Sequence, residues 1–322
     1  MVRPEGRPTP DAVRTVAVVG VGVIGGGWAA HFLRMGFDVV AWDPAPYAER
    51  RLSDLLDRAW PSLERLGMRE GASRSRLHFA DSLEDALAEA DFVQESSPEV
   101  LNSKIELLAA IDRLAAPGIV VASSTSGFGM SEMAVECSTP GRFVVGHPFN
   151  PPYLIPLVEI VGGVKTDSET VAWAELFYTA SGKSCLTMEQ EVSGFVGNRL
   201  QEALWREALH MIASGQATAQ QIDDSIVHGP GLRWALMGPI LTFHLAGGPG
   251  GMAHTLDHFA PALLEPWTRL DAPLLTEELR DEVVAGAVEV AGGKTVYQVE
   301  QRRDAFLVDL LLLLDKHRLR GG

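Results

Sequence analysis

Positive charge is scarce in this chain. Its 322 residues carry 27 Lys and Arg against 42 Asp and Glu, a formal net charge of -15 at pH 7. Nucleic acids, anionic membranes and other polyanionic surfaces require basic stripes that such a composition does not supply, so none is expected as a partner. Cysteine is scarcer. Cys137 and Cys185 stand alone, with neither metal-ligand nor CxxC spacing, which excludes a disulfide framework and gives no reason to expect a zinc site or any other metal. Long hydrophobic runs are missing too. Leucines 310–314 lie between Asp309 and Asp315, far short of the ~20 residues that span a bilayer, and read as the buried stripe of a final helix. Residues 16–30, after Arg3, Arg7 and Arg14, imitate an export signal, but their glycines follow a pattern with a better explanation, and the cytoplasm is the expected location.

What is present is a length that calls for two packed cores. After a tail expected to be loose through residue 14, short β-branched runs alternate with amphipathic stretches up to about residue 191, the pattern of strands joined by crossover helices. Strands are predicted at 15–19, 38–42, 76–79, 92–95, 119–122, 143–146 and 157–161, with helices such as 100–114 and 170–181 between them. From Gly194-Phe195 onward the apolar residues recur every three or four positions. This predicts an all-helical second domain, interrupted at Gly229-Pro230-Gly231, Gly238-Pro239 and residues 247–251. The expected division is 1–14, 15–192 and 193–322.

The glycine pattern is Gly20-Val21-Gly22-Val23-Ile24-Gly25, between a predicted strand and a predicted helix. Its three glycines suit a tight turn, the approach of a pyrophosphate to the backbone, and close helix–strand packing. The next strand ends in Asp43, eighteen residues beyond Gly25, where a carboxylate can accept both hydroxyls of an adenosine ribose. The same charge repels the 2′-phosphate of NADP, and Pro44-Ala45-Pro46 offers no arginine to hold one. The expected architecture is a Rossmann-type, doubly wound α/β sheet with a helical C-terminal domain, and the expected cofactor is NAD.

A nicotinamide that accepts a hydride needs a proton acceptor beside it. His147, in His147-Pro148-Phe149-Asn150-Pro151, can be that base, with Glu159 twelve residues on to hold its tautomer. Ser126 and Asn198 can each hydrogen-bond a substrate oxygen. Read alone, Ser126 is more often a helix N-cap and Asn198 a structural amide.

Taken in order, these segments resemble the L-3-hydroxyacyl-CoA dehydrogenase superfamily, from residue 15 to the C-terminal helices. The resemblance implies His147 as base, Glu159 as its partner, and Ser126 and Asn198 as ligands of the reacting oxygen. Through Ser97-Pro98-Glu99-Val100-Leu101-Asn102-Ser103-Lys104 it implies that Glu99 and Lys104 reach the cofactor. It also implies a homodimer formed through the helical domain. Gln94-Glu95-Ser96-Ser97-Pro98-Glu99 and Gly231-Leu232-Arg233-Trp234-Ala235 are more similar to the branch acting on small free hydroxy acids such as carnitine and gulonate. Glu265-Pro266-Trp267-Thr268 leans to carnitine, whereas Gly194-Phe195-Val196-Gly197-Asn198-Arg199 looks more like the other branches.

Arg233 can grip a free carboxylate with two parallel hydrogen bonds, although a surface arginine is an equal reading. Phe149, Tyr153, Trp234 and Phe243 could wall a quaternary ammonium. The function expected is NAD-dependent oxidation of the 3-hydroxyl of a small L-3-hydroxy acid, with carnitine the leading substrate. Gulonate and a 3-hydroxyacyl-CoA are the alternatives, and a non-catalytic NAD-binding structural or sensor protein is the reading from another class. Five lysines in the chain count slightly against the phosphate-rich thioester.

Overall fold

The computed structural model describes residues 6–263, 268, 271 and 273–317. The chain parts into two units: residues up to Asn198 together with Asp304–Leu312, and Arg199–Arg303 with the segment from Leu313.

The first unit runs β1 (Thr15–Val19), α1 (Val23–Arg34), β2 (Asp38–Trp42), α2 (Ala48–Leu66), β3 (Leu77–Phe79), α3 (Leu83–Ala88), β4 (Phe92–Glu95), α4 (Leu101–Leu114), β5 (Val120–Ser123), α5 (Met130–Met133), β6 (Phe143–Pro148), β7 (Leu157–Gly162), α6 (Ser168–Ala180) and β8 (Ser184–Met188). The strands form one sheet in the order β3-β2-β1-β4-β5-β6-β7-β8. Alternate side chains of β1 feed two cores. Val16 and Val18 join Trp28, Phe32, Leu52, Leu56 and Phe177 on one face, while Ala17 and Val19 join Leu87, Leu108, Ile111 and Met133 on the other. β1 pairs with β2 on one side and β4 on the other, both parallel, so the chain reverses direction across the sheet at the carboxyl end of β1. Such a switch point opens a crevice where open α/β sheets bind ligands.

Six of the seven strand pairings are parallel; β6 and β7 are antiparallel. The physical reason is length. The connection from residue 149 to residue 156 is too short for a crossover of a dozen or more residues, so the chain must turn back beside the strand it left. The resulting register sets His147 directly opposite Glu159.

Three expectations change. β8 was absent from the predicted strands: Ser184-Cys185-Leu186-Thr187-Met188 lies at the sheet edge, largely exposed, and lacks the apolar run of a strand buried on both faces. Residues 6–14 are tied down rather than loose. Val13 is buried, Arg7 donates to the carbonyl of Gly118 and to Thr170 Oγ1, and Trp173 Nε1 donates to the carbonyl of Pro8 at 2.6 Å. The third concerns the final helix. Its Asp304–Leu312 stretch belongs with the first unit, where Val308 is fully buried in the sheet-face core with Leu307 and Leu311 against it. Its apolar face therefore recurs at helical spacing, and of leucines 310–314, Leu312 and Leu313 are exposed.

The second unit is helical: α7 (Gly197–Ala213, beginning at the edge of the first unit), α8 (Ala219–Val227), α9 (Gly231–Trp234), α10 (Pro239–Ala246), α11 (Gly251–Leu263), α12 (Glu277–Val290) and the ends of α13 (Val296–His317). The helices break where proline and glycine predict it, and the run 247–251 holds a single 3-10 turn, Gly248–Gly250. α10 and α11 are joined by Thr255, whose hydroxyl donates to the carbonyl of Phe243 at 2.7 Å. Among the described residues no helix is long and apolar enough to cross a membrane.

Candidate active site

A cavity of about 780 Å³ opens at the switch point, lined by the glycine turn, Asp43, Ser96, Glu99, Ser124, Ser126 and His147 among others. At Gly20, φ is +86°, and a Cβ would lie 2.7 Å from the carbonyl oxygen of Ser96; at Gly25 it would collide with the carbonyl of Gly20. Those two glycines are required by the protein's own packing. A Cβ on Gly22 would meet nothing, so its absence leaves room for something outside the chain. Gly22 precedes α1 without a side-chain cap, and the free N–H groups of that helix end suit a pyrophosphate.

Asp43 lines the cavity beside the glycine turn. Its Oδ2 accepts from Val21 N at 2.9 Å and its Oδ1 from Ala45 N at 2.8 Å, which leaves lone pairs on both oxygens for ribose hydroxyls. Arg51, beyond the stretch read for arginines, also lines this end and donates to the carbonyl of Pro46. The residues present thus fit a dinucleotide.

At the other end His147, 5% exposed, places Nδ1 2.9 Å from Glu159 Oε2. With Nδ1 committed to the carboxylate, Nε2 is the nitrogen free to accept a proton. Glu159 Oε1 accepts from the backbone N–H of Val196 and Gly197 at 2.9 and 2.8 Å, so one carboxylate orients the imidazole and caps the start of α7. Burial raises the Glu159 pKa, but hydrogen bonds from His147, Gly197 and Val196 outweigh it and hold the carboxyl below the usual range. The rings of Phe149 and Phe195 flank the imidazole at centroid distances of 5.1 and 5.4 Å. Phe195 is buried with φ at +52°, a left-handed conformation that costs a non-glycine residue energy and is held by its surroundings. Nothing in Gly194-Phe195 distinguishes that phenylalanine from core.

Ser126 and Asn198 meet: Asn198 Nδ2 donates to the carbonyl of Ser126 at 2.8 Å. Glu99 lies beneath them, its Oε1 accepting from Thr125 Oγ1 at 2.6 Å, Ser126 N at 2.8 Å and Gly127 N at 3.2 Å. It lines the cavity and also holds the loop that carries Ser126. Lys104 is placed differently from the expectation. It is 1% exposed and binds Glu95, at 2.9 and 3.2 Å from the two oxygens, and the carbonyl of Ser97 at 3.2 Å. Glu95, itself fully buried, also accepts from the hydroxyls of Ser97 and Ser123. A buried carboxylate at a strand end demands a cation, which draws the ammonium beneath the cavity floor, 3.6 Å from Glu99 Oε2. Within Gln94-Glu95-Ser96-Ser97-Pro98-Glu99, no local pattern marks Glu95 as the partner of Lys104.

Residues 15–192 match the family described as 3-hydroxyacyl-CoA dehydrogenase, NAD binding domain, and residues 194–298 match its C-terminal domain. The chain belongs to the 3-hydroxyacyl-CoA dehydrogenase family. It is an NAD-dependent oxidoreductase, built as the family is from an NAD-binding sheet domain and a helical domain. L-carnitine dehydrogenase of Nocardiopsis dassonvillei is 61% identical over 310 residues, 96% of this chain and 94% of that protein. L-carnitine dehydrogenase of Streptomyces coelicolor is 61% identical over 303 residues, 94% and 95% of the two chains. Among solved structures, the crystal structure of 5-formyl-3-hydroxy-2-methylpyridine 4-carboxylic acid 5-dehydrogenase superposes with a TM-score of 0.83 at 30% identity. The match covers 94% of this chain and 99% of that one.

Arg233 lies on α9 in the second unit, exposed, with Trp234 half-buried beside it and Phe243 exposed on α10. In the first unit, Tyr153 donates its hydroxyl to the buried Asp304 at 2.5 Å, so it is tied to α13. Glu265, Pro266 and Trp267 lie outside the described residues.

With Asp43 as the acceptor of an adenosine ribose, its charge would meet that of a 2′-phosphate, and like charges brought together cost several kcal/mol, so NADP should be used about 10²-fold or more less efficiently than NAD. Initial rates with each cofactor at saturating substrate check this, and equal kcat/KM would remove Asp43 from cofactor selection.

Proposed function

We propose that this chain oxidises the 3-hydroxyl of L-carnitine to 3-dehydrocarnitine. The observation that carries the reaction is the buried His147–Glu159 pair at 2.9 Å on the cavity that NAD fits. The observation that carries the substrate is 61% identity, over nearly the whole chain, to proteins named L-carnitine dehydrogenase.

NAD, when bound, supplies the nicotinamide that takes the hydride from C3. His147 Nε2 takes the hydroxyl proton, and the Glu159 carboxylate stabilises the imidazolium that forms, acting through the histidine as a positioning residue. Ser126 and Asn198 hold the reacting oxygen as it becomes a carbonyl. Phe149 and Phe195 keep water from the imidazole, which strengthens the ion pair at the moment of transfer. A guanidinium such as that of Arg233 suits the carnitine carboxylate, and aromatic rings such as those of Phe149 and Trp234 suit its trimethylammonium group. We further infer a homodimer in the cytoplasm. The second unit leaves Leu232, Leu236, Ile240, Phe243 and Leu256 between 51% and 75% exposed, more apolar surface than a lone helical unit would leave open to water.

A panel of L-carnitine, L-gulonate, 3-hydroxybutyrate and 3-hydroxybutyryl-CoA, followed by NADH absorbance, tests the proposal. Carnitine should give the highest kcat/KM. Replacing Arg233 by Met should then raise the carnitine KM by about 10-fold or more, the cost of one lost charge-assisted pair, with little effect on NADH binding. An unchanged KM would return Arg233 to the surface, and no turnover of any substrate despite NADH binding would favour a sensor.

A further inference from the structure

We infer that the Ser96 hydroxyl is a hydrogen-bond donor held in one orientation toward the nicotinamide half of NAD, and that a chain of buried polar groups behind it sets that orientation. The inference rests on the NAD site described above and adds to it a residue outside the glycine turn and outside the His147 group.

The chain begins at Tyr178, fully buried on α6, whose hydroxyl lies 2.6 Å from Gln94 Oε1. Gln94 supplies its acceptor: were the amide reversed, the phenolic proton would face an N–H and lie stranded, a cost of about 1–3 kcal/mol for a buried donor. With Oε1 so placed, Gln94 Nε2 must point the other way, and it donates to Ser124 Oγ at 2.9 Å. Trp28 Nε1, a group that can only donate, reaches the same oxygen at 3.1 Å. Both acceptor positions of Ser124 are then filled, and its own proton goes to Ser96 Oγ, 2.8 Å away. Ser96, having accepted, has its proton left over. Ser96 and Ser124 both line the NAD cavity, and Ser96 adjoins the glycine turn so closely that a Cβ on Gly20 would touch its carbonyl. The leftover proton therefore serves an acceptor oxygen in the cavity, on the β4 side of β1, whereas Asp43 follows β2 on the other side.

The polarity has an energetic consequence. A serine free to rotate must be ordered when cofactor binds, whereas one whose accepting side is already occupied presents its donor in advance, so less is lost per bond formed.

Ser96→Ala and Ser96→Cys, the second of which keeps the side-chain volume but donates weakly, should be compared with the unmodified enzyme by calorimetric titration of NADH and of 5′-AMP. AMP occupies only the Asp43 end. Each variant should bind NADH about three- to tenfold more weakly, the net worth of one hydrogen bond, with AMP affinity unchanged. Unchanged NADH affinity in both variants would overturn the inference, and so would parallel losses of NADH and AMP, which would make Ser96 a general support of the fold. Failure of the unmodified enzyme to bind NADH would instead refute the NAD site itself.

Discussion

Replacing His147 by Gln is expected to lower kcat about 10²- to 10⁴-fold, the range for a lost general base, with NADH affinity nearly unchanged. The expectation follows from what the substitution keeps. A glutamine amide can still donate to Glu159 Oε2, so the β6–β7 register and the cap on α7 survive, and no cavity opens between Phe149 and Phe195. What is lost is the basic nitrogen. Stopped-flow measurement of a single turnover would place the loss in the hydride-transfer step, and near-normal turnover would remove the histidine from the mechanism.

Glu159 has two duties, and two substitutions separate them. Glu159→Gln keeps an oxygen for the Val196 and Gly197 N–H groups but turns an N–H toward His147 Nδ1. The imidazole must then accept at Nδ1 and carry its proton on Nε2, the wrong tautomer for a base, so kcat should fall about 10²-fold or more while stability stays close to that of the parent. Glu159→Ala removes the cap as well and leaves two amide donors unpaired, which should cost about 2–4 kcal/mol besides the activity. Urea unfolding of both variants beside their initial rates checks the separation. Equal stability in the two would mean that the carboxylate does not anchor α7.

The same carboxyl bears on acid stability. Its pKa is held below the ordinary value of 4.5, so its contribution is fully present above 4.5 and is lost as pH falls through the lowered value. The Gln variant should therefore lose less stability in that window than the parent.

The NAD-binding half was legible from local pattern because its reasons are local. β1 is buried on both faces and reads as an apolar run, and the glycine turn between strand and helix must be glycine at Gly20 and Gly25 on steric grounds. His147 and Glu159 could be paired from their spacing, although the predicted strand stopped at Gly146; the antiparallel partner β7 carries the pairing on through His147 to Pro148. The parts that were not legible depend on groups distant in sequence. Lys104 goes to a buried Glu95 rather than to the cavity, Trp173 ties down the residues around Pro8, and Val308 returns from the last helix to the first unit's core. Each of those is decided by what lies across the fold, which a run of ten residues does not contain. Arg233 stands in the same position, since its neighbours in sequence do not distinguish a surface guanidinium from a carboxylate clamp.

The central claim is a hydride transfer from C3 of a hydroxy acid, with the proton taken by the protein. L-Carnitine deuterated at C3, incubated with enzyme and NAD, tests it most directly by mass spectrometry of the reduced cofactor. The deuterium should appear in NADH in one-to-one yield with 3-dehydrocarnitine. Unlabelled NADH from labelled substrate, or no NADH at all, would contradict the account.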